Sequence, residues 1–304
     1  MKIKHSSKKA SVASLKGVFA VVTLASIVIR AFQMLRLIDA STGFYSSESV
    51  VTTIFYLLVF LSCFVFCLVS YLSAESSTLN IVGLKDKGLS AVTSVFAVAM
   101  LFDWISSFLT SMSSYVYGSD VNAFQSAMSD GSLPSFFRGV FAFLSAVYFF
   151  FAASDISKGK KRAGSHKVLA LSPIVWTAFR MISLFVSKIS FIRVSDLLLE
   201  LVMLSFMALF FLSIAQVESG VYSDGFAWRI PAFGLSSALI AGTISVPRLI
   251  FTFVDSSKYI NQEHPFNICD LVYFIFVFVL LCTMIKNNTQ NEITEDANAQ
   301  NISE

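Results

Sequence analysis

The stretch VLALSPIVWTAFRMISLFVSK, residues 168–188, is almost entirely apolar and carries one arginine, Arg180, near its middle. A run of about 20 such residues has the length needed to cross the hydrocarbon core of a bilayer as one helix. A charged side chain at that depth costs roughly 2.5 to 3.5 kcal/mol on insertion scales. The stretch therefore predicts a membrane-spanning helix whose arginine needs a partner.

The composition of the whole chain indicates the same class. Of the 304 residues, 56% are hydrophobic and only 13% are charged, whereas a soluble domain carries about 25% charged residues. The net charge of +3 is too small to indicate a nucleic-acid partner, so the lipid bilayer is the expected partner. Eight apolar runs predict an all-α integral membrane protein, an eight-helix transmembrane bundle with spans at 14–37, 50–74, 89–111, 135–154, 168–188, 195–216, 230–254 and 268–286.

Charged residues outside the spans predict the orientation. The segment 1–13 is basic, and the loop 155–167 is the most basic in the chain. Because basic residues favour the cytoplasmic side, both termini are expected there, in a plasma membrane of prokaryotic type. The predicted domains are a basic cytoplasmic N-terminal tail, a multi-pass transmembrane domain at 14–286 and a disordered cytoplasmic C-terminal tail at 287–304. Cleavage of the first run as a signal peptide is the alternative.

The stretch around Arg180 recurs in the chain. RMISLFVSKISFI begins at Arg180, and RLIFTFVDSSKYI begins at Arg248, with shared Arg, Ile and Phe-Val positions. DWISSFL at Asp103 fits the same frame with the charge reversed, and RAFQMLR at Arg30 fits loosely. Each interval is about one helical hairpin. The pattern favours four degenerate hairpin repeats, and internal repeats are typical of transporters.

Each hairpin also carries a charge near the start of its second helix. Odd helices run outward and even helices run inward in this topology, so the charges are expected at one depth, in the outer half of the membrane. Pairing offsets the cost of burying them, and an arginine can hold a carboxylate through two parallel hydrogen bonds. The expected pairs within hairpins are Arg30 with Glu48, Asp103 with Arg138, Arg180 with Asp196 and Glu200, and Arg248 with Asp270.

Two functions are compatible with these charges. In the first, the chain is a small-solute transporter or permease-like binder with a charged pocket for a small anionic or zwitterionic solute. In the second, the pairs are structural, and the chain is a non-catalytic membrane scaffold or a subunit that contacts other membrane proteins. The first function assigns ligand binding to Arg30, Arg180, Arg248, Trp176 and Trp104, and a counter-charge or proton-carrying role to Glu48, Asp103, Arg138, Asp196, Glu200 and Asp270.

Signals for catalysis are poor. The sequence has no HExxH, GxSxG, P-loop or GxGxxG motif. His5 and His166 fall on the predicted cytoplasmic side and His264 on the opposite side, so the three cannot converge. No enzyme activity, cofactor or metal is therefore expected, and the four cysteines are interpreted as buried free thiols. Pro247 is expected to bend its helix, either simply or with carbonyls freed toward a cavity.

Overall fold

The computed structural model describes residues 2–37, 50–72, 85–117, 131–159, 167–186, 194–220, 228–254 and 266–302. Within these ranges lie eight α-helices and no strand. A 3₁₀ turn, Leu169–Leu171, leads into the fifth helix and places Pro173 in its first turn, where proline is tolerated. The helices are α1 (Lys2–Arg36), α2 (Val50–Leu72), α3 (Lys87–Tyr117), α4 (Ser132–Lys158), α5 (Ser172–Val186), α6 (Val194–Ser219), α7 (Arg229–Val254) and α8 (Ile268–Ile302).

The helices agree with the predicted fold class. In the described residues, eight helical segments are long and apolar enough to cross a membrane, which suggests a multi-pass membrane protein. α1 already begins at Lys2, and α8 continues to Ile302. Helix therefore extends into both segments that the sequence assigns to tails. The division into tails and a transmembrane domain stays a prediction.

Helix α7 is the centre of the bundle. The buried share of its apolar segment is 89%, compared with 22% for α2. It packs against α1, α2, α6 and α8, while α3, α4, α5 and α6 follow one another around the side that α8 closes through α3. Small side chains let membrane helices approach closely. α7 is rich in them, and they include Gly234, Ser236, Ser237, Ala238, Ala241 and Gly242.

The two glycines of α7 mark its closest approaches to other helices. A Cβ atom added at Gly234 would lie 3.0 Å from the ring of Phe210 in α6 and 3.2 Å from Val277 in α8. A Cβ atom added at Gly242 would meet the ring of Phe274 in α8 at 3.1 Å. A larger residue at either position has to displace α7 from its neighbours.

Replacing Gly234 with leucine is therefore expected to destabilise the bundle. Overpacking a tightly packed core costs about 1 to 3 kcal/mol of unfolding free energy. Unfolding of the purified protein in mixed micelles, followed by circular dichroism, measures the change. Gly17→Leu in α1 is the matched control, because an added Cβ there meets no atom within 4 Å. Equal stability of the two variants would contradict the close packing of α7.

An aromatic cluster packs next to the buried charges of α3 and α8. The ring centroid of Phe96 lies 5.3 Å from that of Phe276 and 6.0 Å from that of Tyr273. Ring pairs at these separations stabilise a core beyond their buried area. Phe96 precedes Asp103 by two helical turns, and Tyr273 follows Asp270 by about one. The cluster therefore holds together the two helices that present these carboxylates.

Pro247 lies inside α7, and the helix continues through it from Arg229 to Val254. Proline has no N–H group, so the carbonyl of Thr243 has no helical donor at this point. The predicted bend is thus accommodated within one continuous helix. A backbone acceptor is left over in the turn that precedes Arg248.

Candidate functional site

Eight ionisable side chains form one set of neighbouring ion pairs, named here the charged layer. They come from the later part of α1, α3, α5 and α7 and from the beginning of α4, α6 and α8. The ion pairs bring them to one side of the bundle, as the alternation of helix direction predicts. Glu48, a further predicted counter-charge, lies outside the described residues. The charged layer consists of Arg30, Asp103, Arg138, Arg180, Asp196, Glu200, Arg248 and Asp270.

Arg180 has the most contacts with carboxylates in this layer. Its two terminal nitrogens donate to the two carboxylate oxygens of Asp270 at 2.6 and 2.9 Å. One of them also donates to Glu200 at 3.3 Å. The guanidinium lies 5.3 Å from the ring centroid of Trp176, one turn earlier in α5. Two carboxylates and an aromatic face therefore stabilise a guanidinium that is almost completely buried.

Asp103 is held by residues of two other helices. Arg138 of α4 donates through Nε to the Asp103 carboxylate at 3.1 Å, and a terminal nitrogen pairs with the second oxygen. The indole Nε1 of Trp176 donates to the same carboxylate at 2.8 Å. Trp176 is fully buried and contacts Arg180 through its ring. It thereby connects the Asp103–Arg138 pair to Arg180.

Trp104 lies outside this set of contacts. Its ring packs against Phe143 of α4, with centroids 5.1 Å apart. It also lies beside Gly139, where an added Cβ would be 3.6 Å from the indole. Of the two tryptophans predicted to line the site, the structure places Trp176 among the charges and Trp104 in a packing position.

Arg30 forms a second group at the edge of the layer. It pairs with Asp196 in the first turn of α6 and donates to the amide oxygen of Gln33 at 2.9 Å. Its guanidinium lies 5.6 Å from the ring centroid of Phe55 in α2. The group joins α1, α2 and α6 through one buried cation.

Arg248 differs from the other arginines of the layer. Its side chain is only 7% exposed, and one terminal nitrogen lies 3.6 Å from Glu200. That separation is too long for a good hydrogen bond. Within the part of the chain that the structure describes, its guanidinium donates no hydrogen bond. A guanidinium has five N–H groups, so Arg248 keeps donors to spare in the charged layer.

The observed pairs correct the prediction that each arginine is neutralised within its own hairpin. The Asp103–Arg138 pair is confirmed, and so is the contact between Arg180 and Glu200. Asp270, the partner expected for Arg248, instead holds Arg180 through two hydrogen bonds. Arg248 approaches Glu200. The first turn of α6 lies between neighbouring helices, so its carboxylates serve arginines of three hairpins rather than one.

For Arg30, the structure also supplies a partner from a distant hairpin. Asp196 was assigned to Arg180 by sequence proximity, and it pairs with Arg30. The predicted contact with Glu48 falls outside the described residues. Sequence reasoning also missed Gln33 and Phe55. Gln33 could have been found from its position three residues after Arg30, on the same helix face; nothing in the sequence indicates Phe55.

The other predicted chemistry can be placed briefly. Asp196 and Glu200 take part in ion pairs, and among the described residues no group of three or more His, Cys, Asp or Glu could hold a metal ion. The four cysteines are free thiols, as the sequence predicts. The chain matches no protein-family model, and no curated protein or solved structure is similar to it.

Proposed function

We propose that this chain is a small-solute transporter or permease-like binder of the plasma membrane, with both termini cytoplasmic. The charged layer then lies in the outer half of the membrane. The observation that carries the proposal is the state of Arg248, a buried guanidinium with one long ion pair and donors to spare. A buried donor without an acceptor costs free energy. A carboxylate from a solute would supply that acceptor.

The charges around Arg248 favour one class of solute. Arg30, Arg180 and Arg248 face Asp196, Glu200 and Asp270, so three cations meet three carboxylates. A net charge buried in such a site is costly. A zwitterion adds none. Its carboxylate would bind Arg248, and its cationic group would face the carboxylates of the first turn of α6.

Arg180 is a poorer candidate for ligand binding than the sequence suggested. Its contacts with Asp270, Glu200 and Trp176 use its charge within the protein. In this proposal Arg180 keeps α5, α6 and α8 in position, and Arg248 contacts the solute. The arrangement of four hairpin repeats stays a prediction, since the ion pairs cross hairpin boundaries.

Thermal unfolding of the purified protein with a panel of solutes tests the proposal. The panel contains glycine, L-alanine and glycine betaine as zwitterions, acetate and citrate as anions, and glycerol as a neutral solute. A zwitterion at about one hundred times its Kd is expected to stabilise the protein by about 2.7 kcal/mol. Arg248→Gln should remove this stabilisation.

Arg36→Gln is the matched control, because Arg36 is exposed at the end of α1 and outside the charged layer. It should retain the response to the zwitterion. A response that survives Arg248→Gln would contradict the role of Arg248. Absence of any response across the panel would contradict solute binding of the proposed class.

A scaffold or partner subunit is the second candidate. The observation in its favour is that every arginine of the charged layer lies within 4 Å of a carboxylate. The buried charge is thus compensated inside the protein, without a ligand. Purification from mild detergent distinguishes the two functions. A scaffold is expected to retain a fixed protein partner and to show no response to solutes.

A further inference from the structure

A polar stripe runs along the buried face of α1. Thr23, Ser26, Arg30 and Gln33 follow one another at intervals of three or four residues, which places them on one face of the helix. All four are almost completely buried, while their neighbours Leu24, Val28 and Phe32 are exposed. A helix face that packs in a membrane is usually apolar or lined with small residues. The stripe on α1 therefore needs an explanation.

Polar atoms of this stripe have no hydrogen-bond partner in the described part of the chain. The same holds for one hydroxyl at the start of α2 and one near the end of α7. Most other buried helical hydroxyls donate to the carbonyl four residues earlier, as Ser213 does to Leu209 at 2.7 Å. The unsatisfied atoms are Thr23 Oγ1, Ser26 Oγ, Gln33 Nε2, Thr52 Oγ1 and Ser245 Oγ.

These atoms lie near the two arginines that meet the first turn of α6. On α1, Ser26 precedes Arg30 by one turn, and Gln33 accepts a hydrogen bond from it. On α2, Thr52 precedes by one turn the phenylalanine that lies beside the Arg30 guanidinium. On α7, Ser245 precedes Arg248 by one turn.

The acidic partners bring the two arginines close together. Asp196 pairs with Arg30 and Glu200 with Arg248, and residues four apart on a helix are about 6 Å from each other. The unsatisfied atoms of three helices thus surround one small region. Thr23 extends that region past the middle of the apolar segment of α1, Leu15–Arg36.

We propose that α1, α2, α7 and the first turn of α6 enclose a hydrated pocket that holds ordered water. Buried polar groups that lack protein partners are usually satisfied by internal water, which bonds to two to four such groups. Hydroxyls, an amide N–H₂ and spare guanidinium donors provide that number of partners here. The pocket reaches from the charged layer past the middle of the bundle, and it stands whether or not Arg248 binds a solute.

Cysteine reactivity tests whether water reaches these positions. Ser26→Cys and Ser245→Cys are made in a background in which the four native cysteines are alanine, and the protein is treated with methyl methanethiosulfonate. The thiolate is the reacting species, and an apolar surrounding suppresses it. Reaction at both positions is expected to be at least about tenfold faster than at Ser213→Cys, whose parent serine is buried in α6 and bonded to its own helix. Equally slow reaction at all three positions would overturn the proposal.

A stability measurement provides the second test, in case a cysteine variant fails to fold. Removing a hydroxyl that is truly unsatisfied raises the melting temperature, whereas removing one that binds water leaves it unchanged or lowers it. Ser26→Ala and Ser245→Ala are expected to show no increase in melting temperature in detergent. An increase in both would overturn the hydrated pocket. Neither test uses a solute, so failure of the pocket is distinguishable from failure of solute binding.

Discussion

Replacing Arg180 with methionine is expected to lower the unfolding free energy by about 3 to 5 kcal/mol, the usual result of removing one partner from a buried ion pair. Arg180 holds both oxygens of Asp270 and also contacts Glu200. Methionine retains much of the length of the side chain but none of its donors. The carboxylate of Asp270 would then be buried without its cation.

Unfolding in mixed micelles measures this loss, with Arg36→Gln as the control for removing a positive charge at an exposed site. The control is expected to change stability by less than about 0.5 kcal/mol. The double variant Arg180→Met with Asp270→Leu should recover a large part of the loss, because it also removes the unpaired carboxylate. A single variant as stable as the native protein would contradict the central place of Arg180 in the charged layer.

The second large effect is expected at Trp176. Changing it to phenylalanine keeps an aromatic ring beside Arg180 but removes the N–H that donates to Asp103 at 2.8 Å. Hydrogen bonds to charged groups contribute about 1.5 to 3 kcal/mol, so the unfolding free energy should fall by about that amount. The same unfolding experiment in mixed micelles measures it.

Trp104 offers a matched control for this substitution. It lies next to Asp103 in sequence, yet its ring packs against Phe143 and makes no hydrogen bond among the described residues. Trp104→Phe is expected to cost less than Trp176→Phe by at least about 1 kcal/mol. Equal losses for the two variants would mean that only ring volume matters, and that the bond to Asp103 adds nothing.

The sequence predicted the helices well because the relevant signal is local. A run of apolar residues long enough to cross a bilayer can be recognised without knowledge of its neighbours. The common side of the charges was also predictable, since it follows from the alternation of helix direction. Arg30, Arg180 and Asp270 are brought to one side in this way, although they lie far apart in the chain.

The choice of partners was not predictable from the same information. The prediction paired each arginine with the next helix in sequence, but Asp196 pairs with Arg30 and Asp270 with Arg180. These contacts depend on which helices surround the first turn of α6 and on the central position of α7. Both are consequences of packing between distant parts of the chain. The spare donors of Arg248 follow from this arrangement and have no signature in the sequence.

A structure determined in lipid nanodiscs, at a resolution that shows ordered water, tests the central claim most directly. The measurement is the set of hydrogen bonds made by the guanidinium of Arg248. The account predicts one long contact with Glu200 and density for water or a small solute bonded to the remaining donors. An Arg248 guanidinium closed by two short hydrogen bonds to a protein carboxylate, with no density beside it, would contradict the account.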